Sequence, residues 1–149
     1  MKEPVVIDSA CLIGLERIGQ LDVLPSLFDP LVITPEVERE FGSTLSWLRV
    51  ESPADGSLVA ALKMMLDDGE AAAIALACEY RWRIVLDDRR ARSVAERLGL
   101  AIVGTVGVLV QAKRGGIIPA LRPLLDDLEV NGFYLSIALK NEALNLVGE

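Results

Sequence analysis

Five carboxylates of the chain stand out: Asp8, Glu70 and the adjacent pair Asp87 and Asp88 border apolar segments, and Glu40 lies one turn after Glu36. Carboxylates brought within a few ångströms of one another repel strongly at neutral pH. Either their pKa values rise or cations neutralise them. Ligands that are all oxygen select hard cations, Mg²⁺ or Mn²⁺. Such ions activate a water and stabilise charge developing on a phosphoryl group. The chain contains no His, which excludes Ser-His-Asp and Cys-His nucleophile systems, the usual zinc sites and imidazole general-base catalysis. Phosphodiester hydrolysis at an acidic cation site is chemistry that needs no His.

The elements that must position these acids are short strands alternating with helices. The β-branched run Pro4 to Ile7 reads as a strand ending at Asp8, and Cys11 to Leu24 has helical spacing with Leu12, Leu15, Ile18 and Leu21 on one side. Leu31 to Ile33 is a second strand. Thr34 followed by Pro35 is a helix start, so Pro35 to Phe41 is expected to be helical. A short strand is expected at Leu48 to Val50, a helix over Ser57 to Leu66, and an apolar, centrally packed helix over Ala71 to Tyr80, opened by Asp67-Asp68-Gly69-Glu70. Arg83 to Leu86 is the next strand. RRARSVAERLG follows as a helix stopped by Gly99, with Ala91, Val94, Ala95 and Leu98 as its buried stripe. Ala101 to Val103 is a last strand, Val106 to Lys113 a helix, and Pro119 to Asp127 and Ile137 to Val147 close the chain as helices. This alternation predicts an α/β fold, a three-layer α/β/α sandwich on a mostly parallel sheet, formed by residues 1–149 as one domain.

Parallel strands share one C-terminal edge, where α/β proteins place their sites. Asp8 and the pair Asp87 and Asp88 finish strands there. Glu36 and Glu40 lie on the helix leaving the second strand, and Glu70 begins a helix at the same edge. Each acid also has an ordinary structural role open to it. Asp8 can start a turn, Glu36 and Glu70 suit helix N-termini, Asp67 and Glu70 match a capping box, Glu40 suits a solvated face, and Asp87 or Asp88 can cap the helix that follows. Their shared edge favours the joint reading.

The segments VVIDSACLIGLERIG, ITPEVEREFG, DDGEAAAIALA, IVLDDRRARSVAERLGL and GTVGVLVQAKRGGII, in this order and across nearly the whole chain, resemble the PIN-domain family of metal-dependent ribonucleases, in particular its small prokaryotic toxin-like branch. The resemblance implies an α/β/α sandwich with an acidic Mg²⁺ or Mn²⁺ site. The family's first acid falls on Asp8, the second on Glu40 before the hydrophobic residue and Gly of REFG, and the third on Glu70, where many members carry Asp. The fourth falls on Asp87 or Asp88. Ser9 matches a hydroxyl residue that supports the first acid or a water on the metal. The resemblance further implies an RNA substrate, a small antitoxin partner and a homodimer.

With 15 basic against 22 acidic residues the net charge is −7, which excludes a generic basic nucleic-acid binder. Two divalent cations would bring that to about −3. Arg89, Arg90 and Arg92 open a helix beside the acidic edge and are the candidate RNA contacts; a solvated helix face, with Arg92 paired to Glu96, is the ordinary alternative. Aromatic residues make up only 5% of the chain, and no stacking ladder is visible. The glycines of GTVGVL suit strand–helix packing, since no Gly-Lys-Ser/Thr follows; Thr105 is placed to cap that helix or to reach the acids. Cys11 and Cys78 are expected as buried free thiols. No signal-peptide pattern and no apolar run of membrane length are visible, so a cytoplasmic protein is expected. Two rivals stand beside the nuclease reading. A phosphoacceptor protein is disfavoured because Asp8-Ser9-Ala10 lacks a second acid and Gly104-Thr105-Val106 lacks a Lys. A non-catalytic interaction module would use apolar surface such as IALKNEALNLV, which suits core packing as well.

Overall fold

The computed structural model describes residues 1–149. Its centre is a five-stranded, all-parallel sheet in the order β3-β2-β1-β4-β5, built from β1 (Glu3–Ile7), β2 (Phe28–Ile33), β3 (Leu48–Val50), β4 (Arg83–Val85) and β5 (Ile102–Val103). Val5 and Val6 face Leu31 and Val32 on one side, and Arg83 and Ile84 on the other. Helices cover both faces of the central strands. This explains why Val5, Val6, Ile7, Ile84 and Val85 are wholly buried without any alternation of polar residues.

The helices are α1 (Ser9–Arg17), α2 (Val23–Leu27), α3 (Pro35–Phe41), α4 (Gly56–Lys63), α5 (Asp68–Tyr80), α6 (Arg89–Arg97), α7 (Thr105–Arg114), α8 (Arg122–Val130) and α9 (Ile137–Leu146). The Thr34-Pro35 start forms as its residue types dictate, with the Thr34 hydroxyl accepting from Val37 N at 3.3 Å. Helix α5 is buried from Ala71 to Ala77. Its alanines let the helix axis lie close against β1 and β4 while still favouring helix intrinsically.

The connection from β3 to β4 crosses β1, so the direction of winding reverses between β1 and β4. The crevice at the C-terminal ends of these two strands is the topological switch point, the preferred ligand position of open α/β sheets. Asp8 follows one of the two strands, and Asp87 and Asp88 follow the other. The Asp8 amide crosses the crevice to donate to Val85 O at 3.2 Å.

Three expectations are corrected by the fold. The helix expected over Cys11 to Leu24 ends at Arg17, because Gly19 takes a left-handed φ of 70° and turns the chain into the separate α2. The stripe of α6 is narrower than expected. Ala91 and Ala95 are buried and Val94 is half-buried, but Leu98 is 43% exposed where the helix has already ended. Cys11 is buried, and Cys78 is only half-buried. No helix is long and apolar enough to cross a membrane.

Candidate active site

Asp8 sits at the start of α1 yet makes no side-chain cap to it. Only 5% of the residue is exposed, and its Oδ1 is buried with no hydrogen-bond partner. Burial pushes its pKa up to about 7. The nearby Ser9 amide counters this, and the charges of Glu70, Glu40 and Asp67 add to the rise. The support from Ser9 therefore comes through its backbone.

Glu70 is half-buried in the first turn of α5 and is also raised to about 7, first by burial and then by Asp67, Asp88 and Glu40. The capping box expected from the sequence is formed. Asp67 Oδ1 accepts from Glu70 N at 2.8 Å, and Glu70 Oε1 accepts from Asp67 N at 3.4 Å. Glu70 thus folds one oxygen back onto its own helix while its charge remains coupled to the other acids.

Glu40, on α3, reaches α5 at Gly69. A Cβ built on Gly69 would collide with Glu40 Oε1 and come within 2.8 Å of its Cδ. The missing side chain of Gly69 is what lets a carboxylate lie against the first turn of α5, where helix N–H groups favour negative charge. Glu36 is separate, lining a small pocket with Ser52, Pro53 and Lys63.

Asp87 and Asp88 divide the roles left open in the sequence. Asp88 Oδ2 accepts from Ala91 N at 2.9 Å and caps α6. Asp87 is bonded at both oxygens by Thr105, from N to Oδ1 at 2.8 Å and from Oγ1 to Oδ2 at 2.6 Å. Burial raises the Asp87 pKa, while the two Thr105 bonds and the Arg92 charge act against it. Thr105 thus contacts the acidic site. Close to both lies the Cys11 thiol, whose pKa burial and the Asp87 charge push upward.

Of the three arginines, Arg92 is half-buried. Its Nη1 donates to Leu86 O at 2.9 Å and lies 2.8 Å from where a Cβ of Gly104 would stand. The pairing of Arg92 with Glu96 does not form. Arg89 and Arg92 line a groove that begins at Asp87 and Asp88; Arg90 is exposed outside it.

Asp8, Glu40, Glu70 and Asp88 are therefore linked by mutual repulsion at one edge, with Asp67, expected only as a cap, as a further member. No three of these groups close into a ready ligand cage. The donor set still fits a hard cation, because every charged donor at the edge is a carboxylate, the Cys11 thiol is held protonated, and the buried Asp8 Oδ1 lacks any other partner. Gly69 is a site feature that was not expected from the sequence, and Gly104, expected only to serve strand–helix packing, also makes room for Arg92 and Asp87. Their signal is position, since each stands directly before a polar residue that opens or enters a helix, Glu70 or Thr105.

An all-parallel sheet with carboxylates gathered at its switch point defines an open α/β protein with an acidic crevice at the strand ends. A family model described as a PIN domain matches residues 4–149, and the chain belongs to the PIN-domain family, a nuclease fold whose members typically use divalent metals. No curated protein matches the chain.

Proposed function

We propose that the protein is a metal-dependent endoribonuclease that hydrolyses RNA phosphodiester bonds with Mg²⁺ or Mn²⁺. In this reading it is the toxin component of a toxin–antitoxin pair and acts as a cytoplasmic homodimer. Asp8, Glu40, Glu70, Asp87 and Asp88 would hold the cation, which when bound would supply positive charge at the phosphoryl oxygens and lower the pKa of a water. Ser9 steadies Asp8 through its amide, and Thr105 fixes the Asp87 carboxylate in place. Arg89, Arg90 and Arg92 bring phosphate to the edge against the chain's negative net charge.

The observation that carries the reading is Asp8. A buried carboxylate with an unpartnered oxygen, facing other carboxylates, is comfortable only when protonated or bound to a cation. The test is cleavage of a mixed RNA pool in Mn²⁺ by the wild type and by Asp8→Asn. Cleavage in the wild type that is lost in the variant and lost in EDTA supports the reading. Equal cleavage by both proteins overturns it.

The exposed apolar residues of α9 favour one second reading, a PIN-fold interaction module without catalysis. The exposed Ile137, Leu139 and Leu146 of α9 would then be its working surface. The same residues suit an antitoxin or dimer contact in the first reading, so binding of a partner does not separate the two. Metal-dependent cleavage does.

A further inference from the structure

The groove that starts at Asp87 and Asp88 has a volume of about 1060 Å³ and runs between α6, α7 and α9 past the short edge strand β5. Its size matches or exceeds the ~300–1000 Å³ of typical small-ligand sites. Its floor includes Ile102, Val103, Val106 and Val110, and one wall is formed by Phe133 and Tyr134 between α8 and α9. Phe133 is pinned: its ring lies 3.3 Å from where a Cβ of Gly14 in α1 would stand, so the absence of that side chain seats it. Tyr134, the next residue, is 85% exposed. An exposed aromatic ring on an anchored neighbour, beside an apolar floor, is a platform for a flat ligand.

We propose that this groove is a nucleotide-binding subsite in which Tyr134 stacks on a base of single-stranded RNA adjoining the bond at the acidic edge. The inference rests on the nuclease reading and adds to it the form in which the substrate is held. Charge sets the orientation. Arg89 and Arg92 stand beside Asp87 and Asp88 at one end, where the phosphates enter. Glu96 and Glu142 also line the groove and repel phosphate, so the backbone keeps to the arginine side and the uncharged bases take the apolar remainder. Base–aromatic stacking needs a single strand with unstacked bases and tolerates any base identity. RNA recognition here therefore needs only a few arginines at one end and a single ring in place of an aromatic ladder, in keeping with a net charge of −7.

The test uses the full chain carrying Asp8→Asn, so that binding is read without cleavage, and a fluorescein-labelled single-stranded RNA octamer of mixed sequence. Adding Tyr134→Ala is expected to weaken binding by roughly 5- to 100-fold, and adding Tyr134→Phe to leave it nearly unchanged. Tyr134→Ala should leave the salt dependence of binding intact, whereas Arg89→Ala should lower the slope of log affinity against log salt by about 0.7. Equal affinity with and without the Tyr134 ring, or no binding of the octamer by the Asp8→Asn protein, overturns the stacking subsite. The nuclease reading is judged separately by Mn²⁺-dependent cleavage in the protein with native Asp8. Cleavage there, alongside an indifferent Tyr134→Ala, retains the nuclease and removes the stack. Loss of the metal dependence removes the nuclease reading even if the ring binds RNA.

Discussion

Two carboxylates follow the neighbouring strands β1 and β4 at the switch point of the sheet, and they are held in opposite ways. Asp87 has both oxygens bonded by Thr105 and the Arg92 guanidinium close by. Asp8, just past the neighbouring strand and buried, has an oxygen with no partner; the Ser9 amide favours its charge, and Glu70, Glu40 and Asp67 oppose it. On one side the carboxylate is fixed by bonds within the protein and still has lone pairs to offer, and on the other an oxygen finds a partner only in a proton or a cation. Removing polar groups from the two sides should therefore have opposite effects on stability.

The largest expected effect comes from Asp8→Asn. It should reduce Mn²⁺-dependent cleavage by at least about 100-fold, in line with the contribution of a metal ligand to phosphoryl chemistry. The same variant should stabilise the metal-free protein at pH 7.5 by about 1–3 kcal/mol, because a repelled buried charge disappears. Thermal unfolding in EDTA checks this second part, and an unchanged or lower Tm would break the comparison.

Thr105→Val tests the other side. It deletes the hydroxyl that donates to Asp87 Oδ2 and leaves a buried acceptor short of a partner. The expected loss is about 1–3 kcal/mol, read as a Tm lower by roughly 2–10 °C for a chain of this size. The fall should persist in EDTA, since the bond is internal to the protein.

The pH dependence sharpens the comparison. Asp8 and Glu70 rise from ordinary values of 3.8 and 4.5 to about 7 in the folded protein. The folded state therefore holds protons that the unfolded chain has released. Their contribution to stability is fully present below about pH 4 and is lost as pH rises through about 7. The Tm advantage of Asp8→Asn over wild type in EDTA should accordingly be near zero at pH 4 and grow towards pH 8. Saturating Mn²⁺ should reverse it, because the cation stabilises only the protein that binds it. An advantage that is flat across this range would rule out repulsion at Asp8.

Gly69→Ala is expected to have the smallest effect on folding and a selective effect on the site. Ala is the better helix former by up to about 1 kcal/mol, but its Cβ collides with Glu40 Oε1. Mn²⁺ affinity should fall about tenfold or more, as when a supporting residue of a metal site is lost, while Tm in EDTA changes little. Unaltered affinity would show that Glu40 need not lie against α5.

Much of this architecture is legible in the amino-acid sequence. The apolar strands, the Thr34-Pro35 start, the α5 capping box and the end of β4 at the acid pair follow from local chemistry, and the parallel sheet follows from their alternation. The gathering of Asp8, Glu40 and Glu70 at one edge is legible because parallel strands share an edge. Other features depend on distant chain segments meeting. The two bonds from Thr105 decide which acid of the Asp87–Asp88 pair is anchored and which caps α6, and no spacing within LDDRRAR encodes them. The close approach of Glu40 to Gly69 joins α3 to α5. Tyr134 lies far along the chain from the acids, and only the packing of Phe133 on Gly14 sets it by the groove. The break at Gly19 has a local cause, but the apolar spacing continues through it and outweighs a single glycine.

The most direct test of the central claim, that the acidic edge is completed by a divalent cation, is a calorimetric Mn²⁺ titration of the wild type and of Asp8→Asn at pH 7.5. The predicted result is saturable binding by the wild type, with release of protons from the raised carboxylates, and binding that is lost or at least about tenfold weaker in the variant. Equal binding by both proteins, or none by the wild type, would contradict it.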